Sequence, residues 1–116
     1  PITSKQIVQA AEAGDELAAR IWDETCYYLA VGCVNMARVI NPDRILLAGG
    51  MIAAGERMLL GPLRARFDQV NWKLRCEGLV LEPEIGFASL VEAAGVIGAA
   101  GAVELAIDEG TIRLER

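Results

Sequence analysis

Histidine is absent from the chain. That excludes a Ser-His-Asp triad, a Cys-His pair and a His-x-x-x-His zinc site built from these residues alone. The commonest base near neutral pH is missing with it. Chemistry falls to carboxylates, Lys, Cys, Tyr or backbone groups, or to residues elsewhere. Aromatics are scarce at 5%, so Ala, Leu, Val and Ile must fill the core. Cations are outnumbered: 11 Lys and Arg against 16 Asp and Glu leave a net charge of −5. An acidic chain is poorly suited to grip phosphodiester backbones over a broad face, and no direct nucleic-acid contact is expected. Long apolar runs are missing too. Ile45–Gly55 and Ala93–Val103 are too short and too rich in Gly and Ala to span a bilayer, and the N-terminus Pro1-Ile2-Thr3-Ser4 lacks a signal-peptide layout.

The cysteines are Cys26, Cys33 and Cys76, an odd number with no Cys-x-x-Cys pair. Cys26 and Cys33 lie two helical turns apart, on one helix face. Free cysteines usually behave as small buried hydrophobes. The pattern points to a reducing compartment, the cytoplasm, and to no metal cluster.

What is present is hydrophobic mass. Apolar residues make up 53% of 116, high for a small soluble domain. A single domain over residues 1–116 can bury roughly two-thirds of its unfolded surface. The excess points to a partner, either another domain or a second copy.

Thr3-Ser4-Lys5-Gln6 reads as a capping box opening a short helix to Ala13, which Gly14 ends. Asp15 caps a long helix from about residue 16 to Ile40. Ile21, Thr25, Leu29, Gly32/Cys33, Met36 and Ile40 recur at the spacing of one face, expected to be the buried one. From Leu29 onward that helix is apolar enough to be buried on most sides. Asn41-Pro42-Asp43 breaks it. Arg44–Ala48 is a continuous apolar run typical of a parallel strand covered on both faces, ended by Gly49-Gly50.

Met51–Ala54 starts a turn or helix interrupted by Gly55. Leu59, Leu60, Leu63, Phe67 and Val70 follow on a helical segment, with Gly61-Pro62 marking a restart. Leu79-Val80-Leu81 is a second strand candidate, limited by Pro83, with Ile85-Gly86-Phe87 as an extension. Ser89-Leu90-Val91-Glu92 is a second capping box, opening a last helix over about Leu90–Ile107. Two strands alone make no stable sheet, so the set reads as an α/β unit whose other strands lie outside the chain.

The sharpest local feature is Ile45-Leu46-Leu47-Ala48-Gly49-Gly50-Met51. Ligands of α/β sheets bind beyond the carboxyl ends of strands, and paired glycines let backbone approach a flat or phosphorylated ligand. An ordinary strand-to-helix turn is the simpler reading of the spacing. Gly95, Gly98 and Gly101 form a row inside a helix, pointing to close helix packing before ligand contact. Arg64, Arg66, Lys73 and Arg75 form a basic cluster, read first as the solvated side of a helix. Glu77, Glu82 and Glu84 read as solvated surface rather than an acid/base pair.

Taken in order, Ala13-Gly14-Asp15, the long helix, Asn41-Pro42-Asp43, the strand Arg44–Ala48, Gly49-Gly50-Met51 and Gly98-Ala99-Ala100 resemble the C-terminal part of the ROK family. That name covers bacterial repressors, open reading frames and sugar kinases. The resemblance implies a partial actin-like, ribonuclease-H-like ATPase domain of α/β class, with long helices packed on a short sheet. It implies that Gly49, Gly50 and Met51 contact adenosine of ATP with Mg, and that the catalytic Asp, phosphate loops, sugar-contacting residues and zinc cluster lie upstream of Pro1. The chain alone would then be inactive and hold no catalytic or metal residue. Its partners would be the remainder of the parent chain or a second copy, in a homo-oligomer, with a sugar as substrate or effector. A sugar-responsive regulator and a dimerisation module are the alternatives to a kinase.

Overall fold

Two four-residue runs of extended backbone, Arg44–Leu47 (β1) and Glu84–Phe87 (β2), pair in parallel and give the fold its platform. The computed structural model of the chain describes residues 1–76, 82–90 and 93–111. Ile45 stands opposite Ile85 and Leu47 opposite Phe87. Alternation sends these four to one face, where Ile45 and Ile85 are buried under helices. Leu46, on the other face, remains 57% exposed. The run predicts coverage on both faces; the described residues cover one. The strand expected at Leu79-Val80-Leu81 lies outside the described residues.

Helix α1 (Ser4–Glu12) begins with the capping box at Thr3 and Gln6, and α2 (Glu16–Ile40) begins with Asp15, whose Oδ1 accepts from the Ala18 N–H at 2.8 Å. Between them Gly14 turns the chain at φ +95. Asn41 ends α2 in the left-handed region at φ 43, its N–H donating to the Ala37 carbonyl at 2.9 Å. Asn tolerates that conformation better than most residues, and Pro42 prevents the helix from resuming.

The buried face of α2 overlaps the expected stripe only in part: Cys33 is buried and Leu29 packs against the core. Ala18, Trp22, Cys26, Ala30, Cys33, Val34 and Ala37 go inside, while Ile21, Met36 and Ile40 are exposed. The second half therefore has an open side. Hydrophobicity could not choose between two apolar faces, so shape chose. The buried face carries mostly short Ala and Cys side chains, with Trp22 and Val34 among them, and a neighbouring helix can pack closely on it.

That neighbour is α3 (Gly61–Cys76), which contributes Leu63 and Phe67 to one core with Ala30, Cys33, Val34, Ala37, Ile45, Leu60 and Ile85. A second cluster of Val8, Trp22, Cys26 and Leu59 ties α1 to α2. A π-helical turn, Glu56–Leu60, leads into α3 and turns the Met58 carbonyl toward Trp22, whose indole Nε1–H donates to it at 2.6 Å. Pro62, four residues on, has no N–H to offer that carbonyl. Trp22→Phe leaves the carbonyl without the indole donor and is expected to cost about 1–3 kcal/mol, read from the urea midpoint. A loss below roughly 0.5 kcal/mol would show that packing alone seats the ring.

The last helix, α4, spans Ala94–Asp108. It starts later than Leu90, at Ala94, and its N-cap residue Ala93 offers no side-chain cap. Ser89 lies in a preceding turn, and Glu92 falls outside the described residues. Val96, Ile97, Val103 and Leu105 are all exposed. Gly95, Gly98 and Gly101 have no neighbour within 4 Å of where a Cβ would stand. The close packing expected for this row is therefore not made by the described chain. A helix this apolar is normally buried; the described residues leave it exposed.

Candidate functional site

At the carboxyl end of β1 the chain must leave the sheet and start a helix within a few residues. Gly49 makes this turn at φ +94 and ψ −179, a conformation essentially restricted to glycine. Gly50–Ala54 then forms a short 3₁₀ helix, with the Ile52 N–H donating to the Gly49 carbonyl at 3.2 Å. Gly55, at φ 73, ends it. Nothing lies within 4 Å of a Cβ built on Gly49 or Gly50. Backbone conformation, not crowding within the chain, requires glycine at position 49.

The 3₁₀ turn faces α1 across a cavity of about 270 Å³. Val8, Trp22, Met51 and Ala54 make its apolar wall; Ser4, Lys5, Gln9 and Glu12 line the α1 side, and Gly50 and Ala53 complete it. The size is close to the lower end for small-molecule sites, enough for one flat ring system. Glu12 is ion-paired with Arg57, which links α1 to the segment after the turn. Lys5 is in no ion pair among the described residues. The cavity offers an apolar slot, a backbone edge and one cation, and its one carboxylate is engaged.

Of the residues singled out from sequence, Gly50 and Met51 line this cavity, and Gly49 stands one residue before it and shapes the turn. The α1 side was missed. No local signal says that Ser4, Lys5, Gln9 and Glu12 meet Met51, which stands 39 to 47 positions further along.

Of the basic cluster, the two described side chains, Arg64 and Arg66, are both engaged within the chain. Arg64 donates to the Ile85 carbonyl through Nε at 3.0 Å and Nη2 at 2.6 Å, and pairs with Glu56 at 2.8 Å. Arg66 donates to both oxygens of Asp23, at 2.7 and 2.6 Å. That hydrogen bond, then the Asp23 charge, raises the Arg66 pKa. The side chains of Lys73 and Arg75 are outside the described set. Of the three glutamates, Glu84 pairs with Arg44 at 2.7 Å in solvent, and Glu77 lies outside the described residues.

Cys26 and Cys33 are buried, unlinked thiols. Burial pushes both upward, and the Asp23 carboxylate adds to the rise at Cys26. Raised thiols are poor nucleophiles at neutral pH, so both serve as packing.

A family model, the ROK family, matches residues 1–106, which include both α1 and the glycine turn. The chain belongs to the ROK family. Its sequence is 34% identical over 97 residues to a glucokinase of Halalkalibacterium halodurans, covering 84% of this chain and 28% of that protein. It is 33% identical over 101 residues to a glucokinase of Thermotoga maritima, covering 87% of this chain and 30% of that protein. The ROK chain also superposes on the crystal structure of a candidate sugar kinase from Cytophaga hutchinsonii, with TM-score 0.67 and 27% identity, over 90% of this chain and 33% of that one. It therefore spans between 28% and 33% of the length of these relatives. Among the described residues, no helix is long and apolar enough to cross a membrane.

Proposed function

We propose that this ROK chain is the C-terminal, nucleotide-side portion of an ATP-dependent, glucokinase-like sugar kinase, acting in the cytoplasm as a homo-oligomer. The observation that carries the reading is the cavity at the carboxyl end of β1, walled by Gly50 and Met51. Ligands of α/β sheets lie at such strand ends. The two curated relatives that are glucokinases support the choice of a sugar as acceptor.

In this reading Gly49 sets the turn, and Gly50 and Met51 present backbone and thioether to adenine or ribose. Val8 and Trp22 exclude water from the ring. Lys5, at the opposite rim, attracts negative charge. The fit to ATP is one-sided: the base finds a slot, but Glu12 is tied to Arg57 and offers Mg no free carboxylate. MgATP would supply the transferable phosphoryl group. Positioning of that group and activation of the sugar hydroxyl fall to segments outside this chain.

The full-length parent is expected to turn over ATP in the presence of glucose in a coupled assay, and the 116-residue chain alone is expected to give none. Sugar-dependent turnover by the chain alone would overturn the division of labour. A parent that binds sugar but no nucleotide by titration calorimetry would favour a transcriptional regulator.

A further inference from the structure

The cavity between α1 and the glycine turn has an apolar wall that can hold a flat ring and a polar row that can read its edge. Besides Val8, α1 lines it with Ser4, Lys5, Gln9 and Glu12. These four side chains differ in what they can tell apart. A serine hydroxyl rotates to donate or to accept, so it suits any base edge. A lysine ammonium only donates. Glu12 is held by Arg57. Of the four, Gln9 is the one with a donor and an acceptor fixed side by side in one plane.

That amide is uncommitted. Among the described residues, no hydrogen bond engages the Gln9 side chain. Its backbone, by contrast, is well held. Val8, the preceding residue, is buried and packs with Trp22, Cys26 and Leu59. The Gln9 carbonyl accepts from the Ala13 N–H at 3.0 Å. Position 9 is therefore fixed beside the apolar wall, while its side chain stays exposed on the cavity lining.

We propose that Gln9 is the residue that recognises the base, pairing with adenine through both groups of its amide. The proposal rests on the reading of this cavity as a nucleotide site and adds to it the side chain that selects the base. Adenine carries its 6-amino donor between two ring acceptors, N1 and N7, so an amide meets a matched pair on either edge. Guanine presents two acceptors, O6 and N7, along one of those edges, where the amide oxygen would find no donor.

The test is a cycle of two ligands and two proteins, read by titration calorimetry on the full-length parent. The ligands are ATP and the purine riboside triphosphate that lacks the 6-amino group. The intact parent is expected to bind ATP roughly tenfold more tightly than the analogue, the order of discrimination that a bidentate pair gives. In Gln9→Leu the preference is expected to fall to within about twofold, because the group that read the amino donor is gone. Gln9→Glu keeps the length of the side chain but sets an acceptor against the ring acceptor. It is expected to lose roughly tenfold in ATP affinity with an unchanged urea midpoint. A preference for ATP that survives intact in Gln9→Leu overturns the proposal, as does equal binding of the two ligands by the intact parent. In both of those outcomes ATP still binds, so the reading of the cavity as a nucleotide site is untouched. A parent that binds neither ligand overturns that reading and this proposal together.

Discussion

Valine in place of Gly49 is expected to weaken nucleotide binding by the full-length parent at least roughly tenfold and to destabilise the fold by about 1–3 kcal/mol. Gly49 holds φ +94 with ψ −179, where a Cβ, and above all a β-branched one, meets its own backbone. Since nothing of the chain lies within 4 Å of a Cβ there, the cost comes from the backbone and not from a clash. The valine relieves it only by re-aiming the 3₁₀ turn that carries Gly50 and Met51. Titration calorimetry with ATP and a urea melt read the two effects. Gly50→Ala separates turn geometry from ligand crowding. Gly50 is not in the positive-φ region and has open space around it, so stability should hold while affinity drops. Unchanged affinity in both variants would remove the adenosine assignment.

Leu63→Ala is expected to cost about 2–5 kcal/mol, a large fraction of the roughly 5–15 kcal/mol that holds a typical domain together. Leu63 is fully buried, at the centre of the cluster joining α2, α3 and both strands. Its neighbours Ala30, Cys33 and Ala37 are too short to swing into the space left behind, and the strands are held by their ladder. The void therefore persists, and its lining loses its contacts. Leu17→Ala is the control: Leu17 is 65% exposed, and the change should stay within about 0.5 kcal/mol. Urea unfolding followed by tryptophan fluorescence measures both. A loss below about 1 kcal/mol for Leu63→Ala would show that this cluster is not the core.

Element order was legible because its signals are local. Thr3 with Gln6, Asp15, Asn41-Pro42 and Gly49-Gly50 each act within four residues on backbone geometry or on orphaned N–H groups. They mark starts and stops whatever the chain later packs against. Failures came where an element carries no local stop or more than one apolar face. Nothing in Leu90–Ala94 distinguishes the true start of α4, and Ala93 offers no cap. On α2 apolar residues recur at helical spacing on more than one face, so spacing left the choice open: Cys33 lies inside while Ile21, Met36 and Ile40 lie outside.

The sequence by itself determined that the chain is acidic and histidine-free, where its first two helices begin and break, and that a glycine turn follows a short apolar strand. These depend on side-chain chemistry and on dihedral preferences set within a turn or two. Only the tertiary structure decided which face of α2 is buried, that α1 forms the far wall of the Gly50–Met51 cavity, and that Arg64 donates to the Ile85 carbonyl of β2. Each of those depends on residues 20 or more positions apart meeting through shape and hydrogen-bond direction, and hydrophobic pattern carries neither.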